Sequence, residues 1–444
     1  MRVGIITITG MPAWGGAEIY FDRLNNFLNS NGHDSCIYSA VPEMGGYDNG
    51  SGNYTRLVLP HIQQGIEEHG LKHGGGIIFN ELNELEIHTN AWLDMLENQL
   101  ATEPKKDIGI IYLQTLFPKN ISTVLDRLKP YFGALITTSF DVESDYIIEL
   151  TRCNMQNPSL TLLETFNKVK HSLIEKVGHP EEYNLMRKQN IPEVNHHLHL
   201  CHFHQEIMQY LKPSTGEDFV LHPLMGQKWY NGIDYGNHYQ PIVENPSDYT
   251  IGVINPIEKK GKGIIAKIIA RTPYNFLILQ GGWGDGEKFV DYLKEEYGTD
   301  FSHRVRLGDY SQDIVGYFDN IDAFLFPSWI EGYGQVGHES LLRRTPVITS
   351  DYPAIHQATI GKGKYVPLTQ YHNIDLWVEA LEDVFKNQAY WHFECNDAAL
   401  MLMNRTQFNG NDFLTYLTRI TDQLEKENLD KAKLIDRDGN LLED

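Results

Sequence analysis

The sequence predicts an α/β protein of two doubly wound, Rossmann-like domains side by side, and three observations predict it. At 444 residues the chain is too long for one ordinary hydrophobic core and suits two domains of about 200 residues each. Short β-rich apolar runs alternate with segments of helical periodicity, the pattern of parallel α/β units. That alternation breaks once, over 220–248, in a stretch rich in Pro, Gly, Asn and Tyr that reads as an interdomain connection.

The first series opens with the strand VGIITIT (3–9). Behind it, AEIYFDRLNNFLNSNGH sets Ile19, Phe21, Leu24, Phe27 and Leu28 on one helical stripe that Gly32 closes. Strands follow at 35–40, 107–114, 133–139 and, as LHLCHF, at 198–203. After the connection a second series places strands at 249–255, 274–280, 303–308, 321–327 and 345–350, each trailed by a helix-like segment. The expected division is a first domain over 1–225, a connection over 226–248, a second domain over 249–415, and over 416–444 a helix that crosses back to the first domain and then an acidic tail. Beyond about Leu424 no apolar stripe is sustained, so fraying is expected there.

Composition narrows the function classes. A content of 41% hydrophobic and 22% charged residues is that of a soluble globular chain. No apolar run approaches the roughly 20 residues that span a bilayer, and MRVGIITITG is too short for a signal peptide, so a cytoplasmic protein is expected, in the host cytoplasm if viral. Cys36, Cys153, Cys201 and Cys395 form no C-x-x-C pair, which suggests neither a disulfide framework nor a thiolate zinc site. The formal charge of −22 repels polyanions and counts against general coating of nucleic acid, although a local basic groove stays open.

In open α/β sheets ligands bind beyond the carboxyl ends of strands. Four loops there carry chemistry. In GMPAWGGAEIY, Gly15 and Gly16 separate the first strand from its helix, where backbone N–H groups meet an anion or a sugar; a plain geometric turn is the competing reading. In NPIEKKGKGIIAKII, Lys259, Lys260 and Lys262 precede a helix, a phosphate-favouring arrangement or a solvated surface cluster. GGWGDGEKF (281–289), with Gly282, again runs from strand through glycine loop to helix. In the fourth, WIEGYGQVGHESLLRR, Glu331 lies in the loop and Glu339 about one turn into the following helix, with open glycine backbone between them. Carboxylates accept from ribose and hexose hydroxyls while a phosphate sits over the helix start, so a nucleotide sugar fits the pieces.

FPSWIEGYGQVGHESLLRRTPVIT resembles the E-x7-E signature of retaining glycosyltransferases with the GT-B fold, particularly family 4. GGAE, NGHD, NPIEKKG, ARTPYNFLILQGG and LGDYSQDIVGYFDNIDAFLFPS fall in that family's order, so the resemblance covers most of the chain. It implies two Rossmann-like domains facing each other across a cleft. It also implies roles. Glu331 would contact the transferred sugar, and Glu339 would hold the ribose hydroxyls. The backbone of Gly332, Tyr333, Gly334 and Gln335 would meet sugar hydroxyls and diphosphate, Lys260 would neutralise the leaving diphosphate, and Gly16 would face the donor and acceptor across the cleft. The reaction implied is a metal-free, same-face displacement from a UDP- or GDP-linked sugar, with no separate cofactor.

Three positions depart from the family. Asn255, kept among the donor-side positions, stands where relatives carry an arginine, leaving Lys259, Lys262 or Arg271 to supply that charge. Arg343 and Arg344 replace small residues and read as helix C-terminal charges. TTSFDVES places Phe140 where many relatives have a histidine, so Asp141 is the candidate for orienting the sugar or acceptor, with helix N-capping as its other reading. In NHHLHLCHFHQE, His197, His199 and Cys201 would share one strand face, but the spacing fits no familiar zinc motif, and His204 is expected to line the cleft. The acceptor is expected to be a glycan, a lipid-linked sugar or a protein. Two alternatives stand beside it: a bacteriophage-type enzyme glycosylating hydroxymethylated DNA, and a catalytically silent nucleotide-sugar binder.

Overall fold

The computed structural model describes residues 1–7, 16–43, 50–60, 63–64, 85–112, 121–138, 145–156, 159–176, 196–211, 217–233, 241–279, 286–298, 301–308 and 313–433. They form two wholly parallel sheets. The first comprises β1 (Arg2–Ile6), β2 (Asp34–Ser39), β3 (Tyr54–Arg56), β4 (Lys106–Tyr112), β5 (Phe132–Thr138), β6 (His196–His199) and β7 (Glu217–Val220) in the order β3-β2-β1-β4-β5-β6-β7. The second comprises β8 (Thr250–Ile254), β9 (Asn275–Leu279), β10 (Val305–Gly308), β11 (Ala323–Phe326), β12 (Val347–Ser350) and β13 (Lys364–Val366) in the order β10-β9-β8-β11-β12-β13. In each sheet the winding reverses beside the first strand, between β1 and β4 and between β8 and β11. A crevice opens at the carboxyl ends of such a pair, so the fold itself designates two binding positions.

The central strands are buried on both faces, as a parallel sheet covered by helices requires: Val3, Ile5, Ile6, Ile108, Ile110 and Ile111 are all fully inaccessible. Helix α1 (Gly16–Ser30) covers β1 with Tyr20, Phe21, Leu24 and Leu28. Its Asp22 carboxylate accepts from the backbone N–H groups of Ser51 and Gly52, each at 3.1 Å, and from the Tyr54 hydroxyl at 3.0 Å, which ties the helix to the edge of the sheet.

The helices that position the site are α2 (Asp145–Gln156), α3 (His202–Leu211), α4 (Lys262–Arg271), α5 (Gln335–Leu342) and α6 (Gln388–Lys433). The expected strand over 198–203 is corrected here. Strand β6 ends at His199 and α3 begins at His202, because a short apolar run does not distinguish a buried strand from the first turn of a buried helix. The strands β3 (YTR), β7 (EDFV) and β13 (KYV), three of the four sheet edges, were not expected; none has an apolar run of more than two residues to register.

The expected fraying after Leu424 is also corrected, since α6 continues to Lys433. Phe413, Tyr416, Leu417 and Ile420 bury a stripe that Leu424 extends toward Gly133 on β5. Beyond it, helix-favouring Glu, Lys, Leu and Ala carry the turns on. This helix spans both halves. Arg405 donates to the carbonyls of Gln357 at 2.5 Å and Ala358 at 3.3 Å in the second domain, whereas Asn409 accepts from the His222 N–H at 2.8 Å and donates to the Val220 carbonyl at 2.9 Å in the first. Among the described residues no helix is long and apolar enough to cross a membrane.

Arg343 is more than a helix C-terminal charge. Its Nε and Nη2 bind the Asp319 carboxylate at 2.8 and 2.7 Å, while Nη1 donates to the carbonyls of Trp229 at 3.2 Å and Asn231 at 3.1 Å in the connection. Asp319 is 43% exposed and regains water when its partner goes, but the Trp229 carbonyl bond is buried. Arg343→Ala is therefore expected to cost about 2 kcal/mol, nearer the price of unmet hydrogen bonds than that of a stranded buried charge. Denaturant melts of the two proteins measure it, and equal midpoints would show that the connection does not depend on this side chain.

Candidate active site

The second domain's switch point is closed by two loops that hold one another. At the end of β8, Asn255 takes φ 50, the left-handed region, with its N–H donating to the Leu279 carbonyl at 3.0 Å and its buried Oδ1 lacking a hydrogen-bond partner. A 3-10 turn over Glu258–Lys260 follows and ends at Gly261, φ 78. A Cβ at Gly261 would lie 2.5 Å from the Pro327 carbonyl oxygen, so only glycine allows the β8 loop this close to the β11 loop. Tyr371 donates to that same carbonyl at 2.6 Å, and the Trp329 N–H donates to the Lys259 carbonyl at 3.2 Å.

This suture brings together residues 71 positions apart in sequence. Lys260 Nζ stands 3.5 Å from Glu331 Oε1, which is close enough for an ion pair, yet that oxygen is buried without a hydrogen bond. A carboxylate oxygen left this way is costly and is retained where a ligand completes it. Behind Glu331, Gly334 caps α5 in the left-handed conformation at φ 88, with no side chain capping the helix start. The Gly337 N–H donates to the Gly334 carbonyl at 2.9 Å, and no side chain caps the Gln335 and Val336 N–H groups before it, so this helix start suits an anion. One turn on, Glu339 is 4% exposed, and its Oε1 accepts from Gln335 Nε2 and from Arg23 Nη2, both at 2.9 Å.

The loop between the glutamates is anchored from behind. The Gly332 carbonyl accepts from Cys201 Sγ at 3.8 Å, across the domain boundary. Tyr333 turns inward, where its hydroxyl receives Arg405 Nη2 and its ring lies 5.5 Å from that of His222. Burial pushes the Tyr333 phenol up to about 12, keeping it neutral, so the side chain anchors the loop.

His222 Nδ1 donates to the Leu200 carbonyl at 2.9 Å, and burial, followed by the nearby Arg405 charge, lowers its pKa to about 3. His204, on α3 and buried instead of lining the cleft, is lowered to about 3 by burial and then by His199. Fully buried His338 is likewise pushed well down by burial. Each stays neutral in the folded state but takes up a proton in the unfolded state once pH falls below about 6.5, so stability is full above that value and declines towards pH 3. His204 and His222 alone should together remove about 3 kcal/mol between pH 7.5 and pH 5.5. Denaturant melts at the two pH values measure this loss, and unchanged stability would mean that these imidazoles are solvated.

Of the predicted residues, the structure gathers Asn255, Lys260, Glu331, Gly332, Tyr333, Gly334, Gln335 and Glu339 around the β8–β11 crevice. Gly16 begins α1 in the first domain. Gly15, Asp141 and Gly282 lie outside the described residues. Helix α2 packs on the turn Leu368–Gln370, directly before Tyr371. Arg271 is excluded as the replacement phosphate cation, because it sits at the far end of α4, 2.7 Å from Asp375. Lys262 points elsewhere too, with Nζ 4.2 Å from the Tyr292 ring centroid.

His197 and His199 do share a face, with rings 4.4 Å apart, but His197 Nδ1 bonds Thr137 Oγ1 at 2.8 Å and Cys201 turns away to Gly332. Among the described residues no three His, Cys, Asp or Glu side chains are grouped to hold a metal ion. Sequence reasoning missed Arg23, His222 and Arg405, which reach the site from distant segments and carry no local motif, and it weighed Cys201 only as a metal ligand.

Residues 262–387 match the family described as glycosyl transferases group 1. No curated protein sequence matches the chain significantly. Among solved structures, the sucrose-phosphate synthase of Thermosynechococcus elongatus superposes with a TM-score of 0.64 at 14% identity, over 95% of this chain and all of that one. The Anabaena protein HepE, solved with UDP and glucose, gives 0.56 at 11% identity over 94% of this chain and 100% of its own. WaaG, a glycosyltransferase of lipopolysaccharide biosynthesis, gives 0.55 at 13% identity over 90% of this chain and 95% of its own. The two parallel α/β domains therefore have the GT-B architecture.

Proposed function

We propose that the protein is a retaining glycosyltransferase that moves a sugar from a nucleoside diphosphate to an acceptor hydroxyl without a metal ion. The buried, unsatisfied Glu331 Oε1 beside Lys260 at the switch point carries this reading, because it marks a place where a hydroxyl donor and an anion arrive together. The match to glycosyl transferases group 1 and the likeness to HepE, solved with UDP and glucose, support it.

In the proposed reaction Glu331 accepts from hydroxyls of the transferred sugar and Glu339 accepts from the ribose. Charge builds on the departing diphosphate, and Lys260 with the open start of α5 opposes it in a crevice already shaped for the purpose. The leaving phosphate takes the acceptor's proton on the same face, so no protein nucleophile is needed and the anomeric configuration is kept. Asp141 is the proposed residue for orienting the sugar or acceptor. The acceptor, a glycan, lipid-linked sugar or protein, binds on the first-domain side, and closure excludes water.

A thermal-shift panel of UDP-, GDP- and ADP-sugars tests the donor reading, since a ligand bound only by the folded state stabilises it by about 2.7 kcal/mol at a hundredfold excess over Kd. One member should raise the melting temperature, and none doing so would sink the proposal. Glu339→Ala should weaken the responding nucleotide about tenfold, roughly the value of one charge-assisted hydrogen-bond set. Unchanged affinity would remove Glu339 from the ribose position. Turnover that collapses with chelator, or a product of inverted anomeric configuration, would contradict the mechanism.

A further inference from the structure

Glu339 is reached from across the domain boundary. Arg23, two turns into α1 of the first domain, donates Nη2 to Glu339 Oε1 at 2.9 Å, and Gln335 Nε2 lands on the same oxygen at 2.9 Å. No hydrogen bond between described residues ends on Oε2. The guanidinium is itself fixed, with Nη1 2.9 Å from Met225 Sδ and Cζ 5.4 Å from the centroid of the Trp229 ring. The Arg23 side chain is 10% exposed and that of Glu339 5%, so this is a buried, preset pair and not a surface contact.

A carboxylate gripped by two donors on one oxygen presents the other in a fixed direction, with lone pairs to spare. We propose that Arg23 is the positioning residue for the donor ribose: it holds Glu339 so that Oε2 faces the 2′ and 3′ hydroxyls, and so makes nucleotide recognition in the second domain depend on a side chain of the first. The proposal rests on the reading of Glu339 as the ribose acceptor. Arginine suits the task because its planar fork fixes direction, whereas a lysine supplies charge alone. The coupling also has a geometric route, since the Trp229 beneath Arg23 is gripped at its carbonyl by Arg343, which caps the C-terminal end of α5 one turn beyond Glu339.

The test measures Kd for UDP, GDP and ADP, each against its 2′,3′-dideoxy counterpart, on the full-length parent, R23A and R23K. The parent should prefer the ribose form of its nucleotide by about tenfold or more. R23A should weaken that form about tenfold while leaving the dideoxy form within about twofold, so that the preference disappears. R23K should retain an intermediate preference, and it decides the matter if R23A does not fold.

A parental ribose preference in R23A, or in R23K where that variant decides, overturns the proposal. Equal weakening of both forms also overturns it, because it means a purely structural role. Tighter binding by R23A means that Arg23 competes with the ribose, and likewise overturns it. A parent that binds these nucleotides but does not distinguish ribose from dideoxyribose fails at the Glu339 assignment instead, and a parent that binds none fails at the donor reading.

Discussion

Glu331→Ala is expected to lower kcat about a thousandfold or more, while nucleotide diphosphate affinity stays near the parental value and folding stability holds or rises. The two halves of that result have one cause. Glu331 Oε1 is buried 3.5 Å from Lys260 Nζ without a hydrogen bond, so the resting protein carries the cost of an unmet acceptor. Removing the side chain removes that cost, but it also removes the group that would align the sugar, and loss of a contact felt mainly in the transition state falls on kcat. Initial rates, a nucleotide titration and a melt on one preparation measure all three. A variant that turns over at the parental rate, or one that loses nucleotide binding in parallel, would move the sugar contact to another residue.

Lys260→Ala is expected to lower kcat by a factor of about 10² to 10³, the range found when a preorganised group opposing developing charge is deleted. The size follows from the scarcity of substitutes, with Lys259 the one remaining candidate in the sequence. Arg271 is at the wrong end of α4, Lys262 lies against Tyr292, and the position of the family's arginine is Asn255. Sugars on better leaving groups, such as a p-nitrophenyl glycoside where accepted, should lose less, because less charge then needs stabilising. An equal loss for both donors would make Lys260 a residue of folding or of uniform binding. Lys260→Arg should recover part of the rate, limited by the reach of its larger head beneath Phe326, whose ring centroid lies 6.0 Å from Nζ.

How much could be read in the sequence follows the range of the interactions. The central strands were legible because each is an unbroken apolar run that must be buried on both faces, as in Ile108–Ile111. The edge strands β3, β7 and β13 were not, since YTR, EDFV and KYV hold no apolar run longer than two residues. The E-x7-E segment was legible because a loop and the first turns of its own helix supply Glu331, Gly334 and Glu339 within nine positions. What no local pattern could show is how that segment is held: Arg23 and Glu339 are 316 positions apart, and Arg405 reaches Tyr333 from a helix whose own periodicity speaks only of packing. Arg343 shows the same limit, read as a helix-end charge although it secures the connection.

The single helix α6, which grips Gln357 and Ala358 at one point and Val220 and His222 a turn later, bears on how such proteins are recombined. A chimera cut only in the linker near Gly232 would give one parent's first sheet a foreign cover, because the stripe from Phe413 to Leu424 would travel with the other parent's sequence. Exchange of donor specificity between homologues therefore calls for two crossovers, the second near Arg405. The spatial module is interrupted in the gene, and libraries that shuffle at one junction would be dominated by mismatched lids.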